Sequence, residues 1–383
     1  MTSCNVCENT TLSAIYESPD NLSITTMNKL IAGKTRVYFC EKCGHLQTNE
    51  LPNLVEYYSQ EYEINLSSED DDQLYKVVDG KPVYRAEYQA QVLMSKVKLA
   101  TGYKVLDYGC AKSPTLKKLL IAHPDIQPFL FDVTDKYIPF WERFPVTPQW
   151  SVHQPRPAWN GGMDVVLSFY ALEHVADLHE AIGNIKALLK PGGVFYFLVP
   201  NVYENTADFI VADHINHFSA NSLRTLLQRE GFDKVVVDDK IHESAFVVTA
   251  TLSSAPSTNT AVSDEIAAYQ KLAIDMANYW TNIVDRIRKF EASVDGDRVA
   301  VYGAGFYGNF ITMAMQSQDK VACFVDQNKH LQGIEINSKP IVAPKQLPAD
   351  ICNVLVGMNP RTAKANINAI SAWQGRKLNY FFL

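Results

Sequence analysis

Alternating strand and helix patterns over residues 84–200 constrain the fold of this chain more than any other feature. A helical pattern over residues 84–99 precedes the apolar runs YKVLD, QPFLFD, MDVVLSF and GVFYFLVP, with helical segments or turns between them. This alternation is typical of a parallel sheet covered by helices on both faces. KPGG at residues 190–193 predicts a helix end and a separate turn. Two later runs, KVVV and SAFVVTAT, are predicted to add an antiparallel edge, so the fold class is α/β.

The chain has 383 residues, which exceeds the size at which single cores usually stop growing, so we expect two or three domains. Residues 251–263, TLSSAPSTNTAVS, lack an apolar period and indicate a boundary. We predict domains at residues 1–55, 56–255 and 256–383. Apolar residues at three- and four-residue steps from Ile266 through Leu272 to Phe290 predict a long amphipathic helix. Its apolar face is predicted to meet a neighbouring domain or a second subunit, which leaves monomer and homodimer open.

Charge and hydropathy exclude two classes of partner. The formal net charge of −7 lacks the basic surplus of a nucleic-acid-binding protein. The N-terminal sequence has no signal-peptide pattern, and no apolar run approaches the roughly 18 residues that a transmembrane helix needs. We therefore expect a cytoplasmic protein without nucleic-acid or membrane partners.

Two CxxC pairs, Cys4 with Cys7 and Cys40 with Cys43, predict a zinc site. Two residues between cysteines allow both sulfurs to face one ion, and four thiolates form a closed tetrahedral shell typical of structural zinc. The intervening segment is long enough for a small hairpin. Reduced buried thiols or a redox CxxC remain alternatives. Four cysteines fill the shell, so His45 is predicted to be a surface residue.

The run YKVLDYGCAKS at residues 103–113 predicts a buried strand that ends in an acid and a compact turn. Asp107 is expected at the strand's carboxyl end, where open α/β sheets bind ligands. Gly109 and Ala111 keep the turn small enough for the backbone to approach a ligand. Asp132 ends the next strand, where it is a candidate acceptor for ribose hydroxyls or a cap for the following turn. An ordinary strand-to-helix turn would explain the same residues.

These residues, together with LEHVAD at residues 172–177 and PGG at residues 191–193, resemble the core of class I S-adenosylmethionine-dependent methyltransferases. In that family LEHxxD lines the site and PGG precedes the fifth strand. The resemblance implies S-adenosylmethionine as cofactor. The residues that it implies for cofactor binding are Asp107, Gly109, Ala111, Asp132, Leu172 and Glu173.

A second strand, glycine-rich turn and helix occurs in RVAVYGAGFYGNFI, where Gly303, Gly305 and Gly308 form GxGxxG. This pattern predicts a Rossmann-like module. CFVD ends in Asp326, which lies 18 residues after Gly308, close to the spacing of a ribose-binding carboxylate. The three glycines are therefore candidates for binding the nucleotide part of a substrate, although they also suit a purely structural crossing.

The order of these segments resembles zinc-containing sugar C-methyltransferases that act on nucleotide-linked 4-keto-6-deoxysugars. CEKCGHLQ at residues 40–47 is similar to the end of that family's zinc segment. SQEYEINLSS matches its tyrosine-rich loop at Tyr62, although Ile64 replaces a second tyrosine. The family's Tyr-His-Glu-His run corresponds to residues 211–214, VADH, where His214 is kept, Asp213 replaces glutamate, and the tyrosine and first histidine are absent.

Methylation beside a ketone requires a base for the α-proton and a partner for the enolate. The resemblance implies His214 as leading base, assisted by His174, Asp213 and Tyr62, with His217 as a substrate contact. The altered motif also suits O-methylation of a sugar or glycan hydroxyl. A binding protein without catalysis and an NAD-dependent oxidoreductase that uses the C-terminal glycines are further alternatives.

Overall fold

The computed structural model describes residues 3–51, 72–253, 263–294 and 296–383. Contacts within the chain define two compact units, each of them discontinuous in sequence. The first unit comprises Met1–Ser13, Tyr38–Asp208 and His214–Lys271, and the second comprises Ala14–Val37, Phe209–Asp213 and Leu272–Leu383. Within the described ranges, no helix combines the length and apolar character that a membrane crossing requires.

Short strands make up the N-terminal part of the chain. Strands β2 and β3 pair in an antiparallel hairpin between the two cysteine pairs, as predicted. A second antiparallel hairpin, β6 with β7, directly precedes the helix Arg85–Lys96. The bounds are β1 (Ser13–Glu17), β2 (Leu22–Ile24), β3 (Leu30–Ala32), β4 (Arg36–Phe39), β5 (Leu46–Thr48), β6 (Leu74–Val78) and β7 (Lys81–Tyr84).

The first unit contains a seven-stranded sheet with the order β10-β9-β8-β11-β12-β15-β14. Its strands are β8 (Lys104–Tyr108), β9 (Gln127–Asp132), β10 (Gln149–Val152), β11 (Met163–Phe169), β12 (Leu189–Pro200), β14 (Phe232–Asp238) and β15 (Ala245–Leu252). Strands β8 to β12 are parallel, whereas β15 is antiparallel to both β12 and β14. The strand order reverses beside β8, so ligands are expected at the carboxyl ends of β8 and β11. A short strand β13 (Asn216–His217) pairs with β5.

Both faces of this sheet are buried, because alternate residues along a strand enter different cores. On β12, Phe195 and Phe197 belong to one apolar cluster, whereas Tyr196 and Leu198 belong to the other. Helices of this unit among the described residues include α1 (Arg85–Lys96), α2 (Pro114–Ala122), α3 (Ile138–Trp141), α4 (Leu178–Leu188) and α5 (Ala220–Arg229). Ser219 caps α5 by accepting from the amide of Ser222. The predicted α/β fold and antiparallel edge are therefore present.

The prediction of a separate turn at residues 190–193 is wrong, because β12 already begins at Leu189. The pairing partner of β11 shifts from Leu189 to Val194, so residues 190–193 form a bulge inside the strand. Gly192 has φ 77°, a left-handed conformation that glycine adopts readily.

The second unit contains a six-stranded sheet with the order β18-β19-β17-β16-β20-β21. Its strands are β16 (Val299–Tyr302), β17 (Val321–Val325), β18 (Glu335–Ile336), β19 (Lys339–Val342), β20 (Asn353–Val356) and β21 (Asn379–Phe382). All pairings are parallel except β18 with β19. Helices α7 (Phe306–Ala314) and α8 (Pro360–Asn368) belong to this unit. The predicted Rossmann-like strand, turn and helix are present at β16 and α7.

The long amphipathic helix is α6 (Ser263–Ser293), and the boundary between the units falls within it. In its C-terminal part, Trp280 is fully buried and packs edge-on against Phe310 of α7. Leu272 was predicted on the buried face but is 45% exposed. The apolar period therefore predicts the helix correctly but misplaces one end of its buried stripe.

Candidate active site

The turn after β8 lines a cavity of about 830 Å³ in the first unit. The amides of Gly109 and Cys110 both donate to the carbonyl of Phe131, which holds the turn against β9. Gly109 has φ 70°, and a Cβ on it would lie 2.8 Å from the Cβ of Ala171 across the turn. Glycine is therefore required here by both conformation and space. Asp107, Gly109, Ala111 and Asp132 all line the cavity.

Two residues in this turn adopt left-handed conformations without being glycine. Ala111 has φ 44° and Ser113 has φ 52°, a region that costs an L-residue roughly 1–2 kcal/mol. Specific contacts hold both in place. The Ser113 hydroxyl donates to Asp107 Oδ2 at 2.5 Å, the Ala111 amide donates to Asp132 Oδ2 at 2.8 Å, and Trp141 Nε1 donates to the Ala111 carbonyl at 2.7 Å.

The two acids of this turn are buried and differ in how their oxygens are used. Asp107 Oδ1 has no hydrogen-bond partner among the described residues. Burial is the main reason that the pKa of Asp107 is raised to about 7; the hydrogen bond from Ser113 opposes the rise and the nearby Asp132 adds to it. Burial also raises the pKa of Asp132, while amide donors including those of Ala111 and Thr134 act in the opposite direction. An unpaired carboxylate oxygen in a cavity wall suits a ligand that brings a cation or a hydroxyl group.

A cation that sequence reasoning missed lies at the same cavity. Arg85 opens α1 and lines the cavity. Its guanidinium sits 4.1 Å from the ring centre of Tyr170, and it donates to Gln73 Oε1 at 3.0 Å. The only sequence signal was a basic residue at the first position of the helix before the sheet. Stacking on an aromatic ring fixes the guanidinium without using all its donors, so it can also hold a carboxylate.

The segment after β11 brings a histidine to the cavity. Residues Leu172–His174 form a short 3₁₀ helix, and His174 lines the cavity. Leu172 and Glu173 are buried, and neither is among the residues that line the cavity. Burial raises the pKa of Glu173 to about 8, opposed by the nearby charge of His214. Glu173 Oε2 has no hydrogen-bond partner among the described residues.

Behind His174 lies a buried cluster built around a carboxylate that was not predicted. The rings of His174 and His214 meet edge to face with their centres 4.6 Å apart. His214 Nδ1 lies 2.5 Å from Asp208 Oδ1, and His217 Nδ1 lies 3.0 Å from Asp208 Oδ2. His217 Nε2 is 2.9 Å from the hydroxyl of Thr48. Both ring nitrogens of His217, a predicted substrate contact, are therefore engaged within the protein.

Asp213, the predicted catalytic acid, accepts hydrogen bonds from a threonine of the second unit. The amide of Thr26 donates to Asp213 Oδ1 at 2.7 Å, and the Thr26 hydroxyl donates to Oδ2. Tyr62, the remaining predicted catalytic residue, lies outside the described residues. The structure thus brings His174 and His214 together and adds Asp208 to them.

The four cysteines of the two CxxC pairs gather in the first unit. All four are buried, and their sulfur atoms lie within 4.8 Å of one another. Cys4 and Cys43 are 3.6 Å apart at sulfur, and Cys7 and Cys40 are 3.5 Å apart. Asn9 Nδ2 lies 3.7 Å from Cys40 Sγ. Sulfurs about 2.3 Å from a tetrahedral zinc lie about 3.8 Å apart, so this thiol set fits the ion.

The expectation that His45 is a surface residue is wrong. Its side chain is completely buried, its ring packs on Phe218 at 5.4 Å between centres, and Nε2 lies 3.3 Å from Asn216 Oδ1. Strand β5 follows His45 and pairs with β13, which covers this position. A four-cysteine shell predicts that histidine is not needed as a ligand, but it does not predict exposure.

Two of the three C-terminal glycines are enclosed by backbone. A Cβ on Gly303 would lie 2.3 Å from the carbonyl oxygen of Gly357, and one on Gly308 would lie 1.9 Å from that of Gly303. A Cβ on Gly305 would meet no atom within 4 Å. The amide of Ala304 donates to Asp326 Oδ2 at 2.9 Å. Close backbone packing thus accounts for Gly303 and Gly308 without a ligand.

Residues 84–237 match the family described as "Methyltransferase domain". The chain is 30% identical over 194 residues to the C-methyltransferase NovU of Streptomyces niveus, covering 45% of this chain and 46% of that protein. The chain thus spans about half the length of this curated relative. Residues 84–237 therefore match a methyltransferase domain, and the turn after β8 lies within them.

Two solved structures resemble about 44% of the chain. A putative methyltransferase in complex with the Haloferax volcanii Trm112 activator is 17% identical with a TM-score of 0.39, covering 91% of that chain. A SAM-dependent methyltransferase of Archaeoglobus fulgidus is 15% identical with a TM-score of 0.36, covering 94% of that chain. Likeness at this level says nothing about the activity of this chain.

Proposed function

We propose that the chain transfers a methyl group from S-adenosylmethionine to the carbon beside the ketone of a nucleotide-linked 4-keto-deoxysugar. The observation that carries this proposal is the position of His174. It lines the same cavity as the Gly109 turn, and its ring contacts His214, which pairs with Asp208. A proton acceptor therefore adjoins the cavity that receives the cofactor.

The cavity offers polar partners for the methionyl and ribose parts of S-adenosylmethionine. The unpaired Oδ1 of Asp107 suits the ammonium group, and Arg85 suits the methionyl carboxylate. Asp132, at the end of β9, suits the ribose hydroxyls, because each carboxylate oxygen has a lone pair beyond the one that accepts an amide. Bound there, the cofactor supplies an electrophilic methyl group on a sulfonium.

His214 is the base in this proposal. Asp208 accepts from Nδ1, so the neutral form of His214 carries a lone pair on Nε2. This nitrogen receives the α-proton of the acceptor sugar by way of His174, whose ring lines the cavity and contacts that of His214. The resulting enolate carbon would take the methyl group of the bound cofactor, and the electrons of the methyl–sulfur bond would leave with the sulfur as a neutral thioether. The proton stays on His214 until it passes to His174 or to water. Holding the carbon and methyl group in line supplies much of the rate enhancement.

The four thiols are proposed to hold one structural zinc ion through Cys4, Cys7, Cys40 and Cys43. The donor set is closed, so the ion would stabilise the fold without meeting substrate. Elemental analysis is expected to give one zinc per chain. Stripping it with a strong chelator should lower the melting temperature of the first unit, because metal binding contributes folding free energy. A metal-free chain with an unchanged melting temperature would contradict a structural role.

The proposal that the acceptor is a sugar is supported by the sequence alone. The resemblance to sugar C-methyltransferases and the similarity to the Streptomyces C-methyltransferase support carbon as the acceptor. A role for Gly303, Gly305 and Gly308 in binding the nucleotide stays a prediction, as does the role of Tyr62. Cytoplasmic location and a monomeric or homodimeric state also stay predictions.

Two measurements test the proposal. In deuterated buffer without cofactor, the chain should catalyse exchange of the α-proton of a nucleotide-linked 4-keto-6-deoxysugar, because His214 acts before methyl transfer. With cofactor, product NMR should show a carbon-bound methyl singlet. His214→Asn should lose both signals while keeping S-adenosylhomocysteine affinity. Gly183→Ala, at a position where a Cβ would meet no atom within 4 Å, serves as the folded control. An ether methyl signal without α-exchange would replace the proposal with O-methylation.

A further inference from the structure

We propose that Asp208 is the positioning carboxylate of His214, and that Asp213, the acid adjacent in sequence, does not serve this role. The inference rests on the proposed function, since it assigns the partner of the same base. It follows from the different hydrogen-bond partners of Asp208 and Asp213, two buried carboxylates on one short segment.

Asp208 is placed to fix two imidazoles at once. It belongs to the 3₁₀ helix Thr206–Ile210 and is 3% exposed. Its two oxygens lie 2.5 Å from His214 Nδ1 and 3.0 Å from His217 Nδ1. A carboxylate that accepts from Nδ1 sets the tautomer, orients the ring and stabilises the imidazolium that forms during proton transfer.

The charge state of Asp208 suits this role. Burial alone would raise its pKa, but the charge and hydrogen bond of His214, followed by those of His217, hold that pKa below its ordinary value. The carboxylate therefore stays ionised at neutral pH. A group that remains an anion can accept from Nδ1 throughout the reaction.

Asp213 points its carboxylate to a different partner. It is fully buried, and its oxygens accept from the amide and the hydroxyl of Thr26. Satisfying a backbone amide and a side-chain hydroxyl is a structural task, because either donor would cost free energy if left buried without an acceptor. Asp213 therefore anchors the backbone directly before His214.

Among the described residues, the titratable groups gathered around His214 come from two segments. Asp208 and His217 meet it through the hydrogen-bonded cluster, and Glu173 and His174 come from the 3₁₀ helix after β11. His174 is the one that lines the cavity. Because Nδ1 is hydrogen-bonded to Asp208, proton transfer at His214 is assigned to Nε2.

The experiment compares Asp208→Asn with Asp213→Asn in the zinc-loaded full chain. The readouts are α-proton exchange, its pH profile, methyl transfer, S-adenosylhomocysteine affinity and the ¹⁵N shifts of the His214 ring. Asp208→Asn should lower the exchange rate roughly 10²–10⁴-fold and remove the Nδ1-protonated tautomer. It should leave the affinity for S-adenosylhomocysteine unchanged, because Asp208 does not line the cavity. Asp208→Glu should restore part of the rate.

Asp213→Asn should lower the melting temperature while keeping the wild-type tautomer and a pH profile of unchanged shape. The proposal is overturned if Asp213→Asn changes the tautomer and abolishes exchange while Asp208→Asn changes neither. If Asp208→Asn does not fold, the intermediate rate and tautomer of Asp208→Glu decide the question. An inactive wild type that shows the Nδ1-protonated tautomer would count against the proposed function and not against this pairing.

A second metal ion at the cluster would also overturn the assignment. The ligand atoms of Glu173, His174 and His214 lie within 4.8 Å of one another, a spacing compatible with a divalent cation. Elemental analysis of the wild type and of His174→Ala separates the two cases. One zinc per chain in both supports the proton-transfer arrangement, whereas a second equivalent that His174→Ala removes would make His214 a ligand.

Discussion

The turns after β8 and β16 share one hydrogen-bond pattern and differ in what surrounds them. In the first unit, Gly109 donates to the Phe131 carbonyl, and Ala111 donates to Asp132. In the second, Gly303 donates to the Val325 carbonyl, and Ala304 donates to Asp326, as described above. In each case an acid that ends the neighbouring strand anchors the turn.

The complete glycine fingerprint is the turn in which two of the three glycines are enclosed by backbone. Gly303 and Gly308 are packed against backbone carbonyls, whereas the turn with a single glycine lines the cavity of about 830 Å³. In the cavity turn, Ala111 takes a left-handed conformation at a position where glycine is usual. A glycine pattern therefore predicts a strand-to-helix crossing, while the space around the turn decides whether a ligand fits.

The largest effect is expected from Gly308→Ala. Its Cβ would lie 1.9 Å from the carbonyl oxygen of Gly303, and backbone cannot yield cheaply. We expect a loss of about 3 kcal/mol or more in the free energy of unfolding of the second unit. Thermal unfolding measures it, and Gly305→Ala, whose Cβ meets no atom within 4 Å, is the matched control with a change within about 0.5 kcal/mol. Equal melting temperatures for the two variants would contradict the close packing of Gly308 against the Gly303 carbonyl.

We expect the affinity for S-adenosylhomocysteine to depend on pH, because the cavity is lined by a carboxyl group with a raised pKa. Burial raises the pKa of Asp107 to about 7, so its carboxyl becomes ionised as pH rises from 6 to 8. Since the ionised form pairs with the ammonium of the cofactor, affinity for S-adenosylhomocysteine should increase with pH, by at most about tenfold per unit below the pKa. Calorimetry at several pH values measures this, and Asp107→Asn should bind more weakly and lose the dependence. A flat wild-type profile would remove Asp107 from the ammonium site.

The smallest effect is expected from Ala111→Gly. Glycine relieves the left-handed strain at φ 44° but loses more conformational entropy on folding, so the two effects partly cancel. We expect a stabilisation of about 1 kcal/mol or less and an unchanged cofactor affinity, because the amide still donates to Asp132. A denaturant melt combined with calorimetry tests both. A marked destabilisation would mean that the methyl group of Ala111 makes a contact that outweighs the strain.

Sequence reasoning predicted features that depend on local pattern. The strands β9 and β11 follow from the runs QPFLFD and MDVVLSF, and the gathering of the four cysteines follows from their spacing. It did not predict contacts between distant segments. Thr26 and Asp213 meet across 187 positions, and Asp208 reaches His214 and His217 from a 3₁₀ helix that has no sequence period. The burial of His45 likewise depends on the pairing of β5 with β13.

The most direct test of the account places the same bulky side chain in each turn. S-adenosylhomocysteine is titrated calorimetrically into the zinc-loaded wild type, Gly109→Leu and Gly305→Leu. We predict one site per chain in the wild type and in Gly305→Leu, and no binding in folded Gly109→Leu, whose Cβ would lie 2.8 Å from that of Ala171. Wild-type affinity in Gly109→Leu, or binding lost only in Gly305→Leu, would contradict the placement of the cofactor at the turn after β8.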